Sequence, residues 1–278
     1  MSEWWQHIPA SFHPIAFTVG FLSVRWYALC FLVSFFSTFG YFLWRGRRRG
    51  FSQPIALWYD LFLWLFLGAI MGGHLGYFLL YQGAIFWQYP GIILPYDQAT
   101  GVWVGVSGMS FHGGLIGVVI ALWWFVKKRK LSLWPIADRI AEAAPLALLF
   151  GRAGNFLNQE LVGRLTYVPW GMYFTVAPAE MLRHPSALYE AVGEGALLLL
   201  LMSVSRRSKR FHGEQSALFI VLYGSVRFIL EYFREPDSGA AMLAQLWTPG
   251  QVYSGMMVVV GAVLFCWLRK KNHGTLEA

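Results

Sequence analysis

The sequence is poor in charge. Of its 278 residues only 13% are Asp, Glu, Lys or Arg, while 57% are hydrophobic; water-soluble globular proteins carry about 25% charged residues. That shortage excludes a water-soluble surface and leaves no room for a second large domain. Cysteine is nearly absent. Cys30 and Cys266 both sit in apolar runs without a neighbour at metal-ligand spacing, so each is read as structural. The seven histidines (His7, His13, His74, His112, His184, His212 and His273) form no HxxxH or HExxH pair, and no metal is expected. There is no phosphate loop, dinucleotide fingerprint, internal repeat or low-complexity tail, and no cofactor is expected. The first residues hold Glu3, Pro9 and Pro14 but no early Lys or Arg; no cleavable signal peptide is expected, and the first apolar run is read as a retained span.

What the sequence has in quantity is apolar length. About 20 apolar residues cross a bilayer, and seven such stretches are expected, at residues 15–44, 55–81, 112–127, 134–150, 186–204, 214–233 and 250–268. The expected fold is all-α, a polytopic integral membrane protein of about seven transmembrane helices forming one domain over 1–278. Loops near 82–110 and 151–185 join them. The first loop carries Trp87, Tyr89, Pro90, Pro95, Tyr96 and Trp103, residues suited to the membrane–water interface. The stretch at 134–150 holds Asp138, Arg139 and Glu142, so it must face protein or water rather than lipid.

The net charge of +8 would suit nucleic acid, but its distribution argues otherwise. Fifteen of the 22 basic residues fall in four clusters: Arg45, Arg47, Arg48 and Arg49; residues 127–130; Arg206, Arg207, Lys209 and Arg210; and Arg269, Lys270 and Lys271. Each borders an apolar run, as cytoplasmic anchors do. With the N-terminus periplasmic, the clusters follow spans one, three, five and seven, and all lie in the cytoplasm with the C-terminus. The two long loops, which contain no lysine, then lie outside.

Seven basic residues remain, all arginine: Arg25, Arg139, Arg152, Arg164, Arg183, Arg227 and Arg234. A charge at the centre of a span costs about 2.5–3.5 kcal/mol on insertion scales, so something must offset it. One reading is planar, bidentate recognition of a phosphate, here a lipid headgroup. The other is internal pairing with Asp138, Glu142, Glu160, Glu190 and Glu231. Tyr223, Arg227 and Glu231 follow at i, i+4 and i+8, with Arg234 three residues on, which places all four along one helix face.

Two segments are unusual for membrane helices. One is Ser107-Gly-Met-Ser-Phe-His112-Gly113-Gly114-Leu-Ile-Gly117; the other is Gly151-Arg152-Ala-Gly154-Asn155-Phe156-Leu-Asn158-Gln-Glu160-Leu-Val-Gly163-Arg164. With Arg25-Trp26-Tyr27, His184-Pro-Ser-Ala-Leu-Tyr189-Glu190, and Tyr223 through Arg227, Glu231, Arg234 and Asp237, they resemble the signatures of the prolipoprotein diacylglyceryl transferase family, in the same order and over nearly the whole chain. One departure is His74, where the family usually has arginine.

The resemblance implies an inner-membrane transferase that moves the diacylglyceryl group of phosphatidylglycerol to the lipobox cysteine of a preprolipoprotein signal peptide, releasing glycerol phosphate. Its partners are these substrates and the surrounding membrane lipids, and no oligomer is required. The nucleophilic thiol belongs to the substrate, so no enzyme cysteine is needed. His112 is the candidate base, with positioning or helix capping as its other readings. Arg152 and Arg227 would stabilise the departing phosphate. Gly113 and Gly114 would offer close backbone approach and free N–H donors to an anion. Asn155 and Asn158 would donate to headgroup oxygens, Tyr27 and Tyr223 would meet the headgroup with a phenol, and Glu231 would steady Arg227 beside Arg234. Glu160 and Arg164, after Gly163, would pair and hold their loop. A membrane anion or lipid transporter is the rival reading, because intramembrane arginines also line anion pathways.

Overall fold

The computed structural model describes residues 3–20, 22–49, 53–94, 96, 101, 108–175, 181–208, 211–236 and 246–274. Pro95, Trp103, Ser107, Lys209, Arg210 and Asp237 lie outside the described residues. The described chain is mostly helical, and five helices are long and apolar enough to cross a membrane: Trp26–Arg48, Ile55–Tyr81, Phe111–Lys128, Ser186–Ser205 and Pro249–Asn272. Their outward faces carry Leu63, Met71, Ile116, Val119, Leu200, Val259 and Val263, all exposed. Such continuous apolar surface requires hydrocarbon around it. The protein is a multi-pass membrane protein.

Contacts divide the chain into two compact units, residues 46–133 and residues 1–45 with 134–278. In the smaller unit, α3 (Ile55–Tyr81) lies against α5 (Phe111–Lys128), with α4 (Gly83–Gln88) and a 3₁₀ turn (Pro90–Ile93) between them in sequence. Gly68, Gly72 and Gly76 face Gly113, Gly117 and Ala121, each four residues apart and so on one helix face. A Cβ on Gly72 would overlap the Gly113 carbonyl, and one on Gly117 would overlap that of Gly68. Backbones meet directly here, which in lipid replaces the missing hydrophobic drive between helices. Gly117→Leu is therefore expected to keep α3 and α5 from closing and to remove most folded protein from the membrane. Detergent-extracted yield and thermal unfolding check this; wild-type values for both would contradict the packing.

In the larger unit, a short helix α1 (Glu3–Gln6) and a 3₁₀ turn (Ile8–Ser11) precede an antiparallel hairpin, β1 (Ile15–Val19) and β2 (Leu22–Arg25). The hairpin is a short addition to an otherwise all-α fold and corrects one boundary: the first long helix, α2 (Trp26–Arg49), starts eleven residues after residue 15. Gly20 explains it, since its φ of +59° lets the chain reverse where an apolar run would otherwise continue. The fourth expected span also moves. Helix α6 (Leu133–Leu157) runs through Gly151 to Leu157 instead of yielding to loop at 151. Its buried Asp138 accepts from the Gly213 and Ser216 N–H groups (2.8 and 3.0 Å) and from Ser216 Oγ (2.9 Å). This carboxylate thus caps α9 (Glu214–Leu230) from another helix.

The fifth span is α7 (Ser186–Glu190), a π-helical stretch (Ala191–Leu197) and α8 (Leu198–Ser205). Helix α10 (Pro249–Gly274) packs along α9, where Ser254 O approaches Gly224 and Val221 approaches Gly261. Helix α9 ends at Leu230; Glu231 follows as its C-cap and pairs with Arg227 at the i+4 spacing, while Arg234 lies past the turn beyond it.

Candidate active site

The site of the larger unit gathers where α6, the fifth span and α9 converge. Arg152, from α6, donates through Nε to Glu194 Oε2 (2.9 Å) and pairs through Nη1 with Glu190 Oε2 (3.0 Å). Arg227, from α9, donates through Nη1 to Glu190 Oε1 (2.6 Å) and through Nη2 to Glu231 Oε2 (2.5 Å). Its Nη1 also lies 3.7 Å from Glu194 Oε1. Glu231 accepts a hydrogen bond from Thr248 Oγ1 (3.2 Å), and its Oε2 lies 3.9 Å from Arg234 Nη1. The three carboxylates are at most 4% exposed. Three guanidiniums face three carboxylates, and their mutual attraction offsets part of the cost of burying them.

Of the two readings the sequence left open for the arginines, internal pairing is present here: Arg152 and Arg227 are held by acidic neighbours. One donor edge stays open. Among the described residues no group accepts from Arg152 Nη2, and the side chain keeps 14% exposure. The Tyr223 phenol, buried in the same cluster, is within electrostatic reach of Arg152, Arg227, Glu190 and Glu194.

Beyond α6 the chain turns sharply. Gln159 and Leu161 both have φ of +56°, in the left-handed region, and they flank Glu160. Non-glycine residues hold that conformation only when their surroundings fix it. Gln159 is fixed from both ends of its amide: Nε2 donates to Pro9 O (3.0 Å), and Oε1 accepts from Thr175 N–H (2.7 Å) and Oγ1 (2.8 Å). Gln159→Ala is expected to release this turn, costing about 1–3 kcal/mol for the buried groups left without partners, read as a lower unfolding temperature; an unchanged one contradicts the assignment.

Glu160 stands exposed and accepts from Asn155 Nδ2 (3.2 Å) and Asn158 Nδ2 (3.0 Å). Each of the two asparagines expected to serve the headgroup thus spends one of its two N–H donors on Glu160. The expected Glu160–Arg164 pair does not form. Arg164 donates through Nε to Arg234 O (2.9 Å), and no carboxylate among the described residues pairs with it. Tyr27, from α2, is 40% exposed and packs against Gly154. Its phenol is within electrostatic reach of both Glu160 and Arg152.

A cap closes over this end. Gly163 N–H donates to His184 O (3.1 Å), Arg164 N–H to Phe233 O (3.0 Å) and Glu235 N–H to Val162 O (3.2 Å), joining three segments of chain. A Cβ on Gly163 would overlap His184 O, so only a glycine allows this close approach. Burial pulls the His184 imidazole below its ordinary pKa, and its Nδ1 lies 3.2 Å from the Tyr189 hydroxyl.

His112 belongs to the smaller unit, in the first turn of α5, exposed and, among the described residues, without a hydrogen-bond partner. It is not the cap of that helix. Ser110 is: its Oγ accepts from Gly113 N–H (3.2 Å), and its carbonyl accepts from Gly114 N–H (2.9 Å). Neither glycine therefore offers the free donor expected of it; Gly113 serves packing against Gly72 and Gly76. His74 lies 2.8 Å through Nε2 from Ile93 O and 3.4 Å through Nδ1 from Gly108 O, joining the two ends of the first loop to α3.

Of the expected site residues, Tyr27, Arg152, Asn155, Asn158, Glu160, Gly163, Arg164, Tyr223, Arg227, Glu231 and Arg234 all lie in the larger unit, and His112, Gly113 and Gly114 in the smaller. The residue that sequence reasoning missed is Glu194, fully buried between Arg152 and Arg227. Its signal is an acid between two glycines, Gly193-Glu194-Gly195, inside an apolar run.

A family model described as prolipoprotein diacylglyceryl transferase matches residues 14–267. The chain belongs to this family. Curated relatives agree with the family over nearly the full length. A phosphatidylglycerol–prolipoprotein diacylglyceryl transferase of Chlorobaculum tepidum is 38% identical over 97% of this chain and 94% of its own. One of Photobacterium profundum is 40% identical over 94% and 95%, and one of Pseudoalteromonas atlantica is 41% identical over 93% and 90%. The family match spans every helix from α2 to all but the last residues of α10.

Proposed function

We propose that this protein transfers the diacylglyceryl group of phosphatidylglycerol to the lipobox cysteine thiol of preprolipoproteins, in a bacterial inner membrane. The observation that carries the reading is the buried, charge-balanced arginine–glutamate network with the Arg152 Nη2 edge left open, in a chain so similar to transferases of that name. An apolar core does not need it, and burying it is costly; an anionic headgroup at the open edge gives it a use.

The substrate sulfur attacks a glycerol carbon of the lipid, the carbon–oxygen bond to phosphate breaks, and the electron pair leaves with glycerol phosphate. The thiol proton goes to His112, whose exposed imidazole has no hydrogen-bond partner among the described residues. A thiol has a pKa of about 8.5, so a base raises the reactive thiolate fraction at neutral pH. Negative charge grows on the leaving phosphate, and Arg152, backed by Glu190 and Glu194, presents a fixed donor to it. Donors held before the reaction need no reorganisation during it. Glu160, held by two asparagines and bracketed by left-handed residues, suits the headgroup hydroxyls as an acceptor. Arg164, in the cap, offers a guanidinium that pairs with no carboxylate among the described residues.

The membrane arrangement follows from the basic clusters: seven spans, N-terminus periplasmic and C-terminus cytoplasmic, with α6 and α9 crossing among the five apolar helices. The 25 residues of α6 are long enough to cross; its Asp138 and Glu142 are buried, and its Arg139 and Arg152 are half-buried. The names of the relatives give no support to a transporter. Purified protein in liposomes distinguishes the two directly. Thioether formation on a lipobox peptide, dependent on phosphatidylglycerol, supports transfer; anion flux without lipid consumption overturns it.

A further inference from the structure

Glu194 has no assigned task in the reaction, yet local structure is spent on placing it. It lies in the π-helical stretch (Ala191–Leu197), a rare geometry that often marks functional positions. The glycines on either side let neighbouring helices close in. A Cβ on Gly195 would strike Leu149 of α6, and a Cβ on Gly193 would strike Leu230 and crowd Val226 of α9. The fifth span is thus drawn tightly against the two helices that carry arginines. Glu194, with no exposed surface, projects its two oxygens one to each: Oε2 to Arg152 Nε (2.9 Å) and Oε1 toward Arg227 Nη1 (3.7 Å).

Packing alone does not require a carboxylate here. Arg152 already has Glu190, and Arg227 already has Glu190 and Glu231. Glu194 is the further anion, and it bears on the guanidinium whose remaining edge is open. We propose that Glu194 is a positioning residue acting as an internal counter-anion: it holds Arg152 in line in the empty site and weakens ground-state attraction for the headgroup phosphate. This inference rests on the reading of the protein as a phosphatidylglycerol transferase.

The consequence is a split between binding and turnover. With Glu194 in place, part of the attraction of Arg152 is already used when the lipid arrives carrying one negative charge. More becomes available as charge builds on the leaving phosphate, which favours the transition state over the ground state. Glu194→Gln keeps the shape and removes the competing charge. It is expected to lower KM for phosphatidylglycerol about tenfold, the effect of one modest charge interaction, and to lower kcat by more. Glu194→Asp, whose shorter side chain retracts the carboxylate from Arg152, is expected to shift both in the same direction by a smaller factor.

The test is steady-state transfer to a lipobox peptide with phosphatidylglycerol in mixed micelles, using wild type and both variants, each normalised to folded protein. A lowered KM with a lowered kcat in either recoverable variant supports the counter-anion. An unchanged or raised KM overturns it, because a merely structural Glu194 changes the amount of active enzyme and not the affinity of what remains. If neither variant yields folded protein, Glu194 is a folding residue and the proposal fails. Absence of thioether product from folded wild type would instead overturn the transferase reading.

Discussion

Replacing Arg227 with Ala is expected to abolish diacylglyceryl transfer, with kcat/KM falling by about 10³, the upper range for losing one oxyanion-type donor. Arg227 joins Glu190 to Glu231 and approaches Glu194, so its removal uncovers buried carboxylates that hold Arg152 in turn. Removing one partner of a buried pair costs about 3–5 kcal/mol because the other charge is left bare. Loss of stability and loss of rate should therefore appear together, and thermal unfolding separates them when turnover is expressed per folded molecule. Arg227→Lys should not restore the rate, because an ammonium is a point charge and cannot fork between Glu190 and Glu231. Arg152→Ala should be equally inactive. Near-normal turnover in folded Arg152→Ala would remove the open guanidinium edge from the chemistry.

The second large effect is expected at His112, where substitution by Gln should lower kcat about 10²–10⁴-fold, the usual contribution of a positioned general base. Stability should barely change, because His112 is exposed, makes no hydrogen bond among the described residues, and leaves the capping of α5 to Ser110. The deficit should also shrink with rising pH. Above the ordinary thiol pKa the substrate ionises without help, so the variant gains rate where wild type gains little. A His112→Gln deficit that is constant with pH would leave the residue a role in positioning and remove it as the base. By contrast, Ser110→Ala should cost about 1 kcal/mol of stability through the lost cap.

The sequence made the lipid-facing elements easy to read, because crossing hydrocarbon demands apolar length and little else. The helices at 55–81, 111–128 and 249–274 fall within a few residues of expectation. Boundaries were harder where apolar composition is shared by two structures. Residues 15–25 are as hydrophobic as the helix that follows, and only Gly20 and the β-branched residues around it betray the hairpin. At the other end of the argument, leftover arginines identified the chemical region, since a charge in a span must have a reason. Their partners were less legible. Glu190 and Glu231 could be proposed from motifs, but Glu194 reads as a cost until the arginines on two neighbouring helices are brought to it. The Asn155–Glu160 and Asn158–Glu160 contacts were hidden for a different reason: they depend on the left-handed backbone at Gln159, which no side-chain spacing encodes. The two glycines after His112 suggested an anion site, whereas the glycines of α3 opposite them turn that signal into helix packing.

The central claim is that the arginine–glutamate network stabilises a departing glycerol phosphate while a thioether forms. Its most direct measurement uses phosphatidylglycerol labelled in the headgroup glycerol, purified protein and a lipobox peptide, with both products quantified by mass spectrometry. The account predicts one labelled glycerol phosphate released per diacylglyceryl-modified peptide, with both products absent when Arg152 or Arg227 is replaced by Ala in folded protein. Thioether formed without labelled glycerol phosphate, or equal release from the alanine variants, would contradict it.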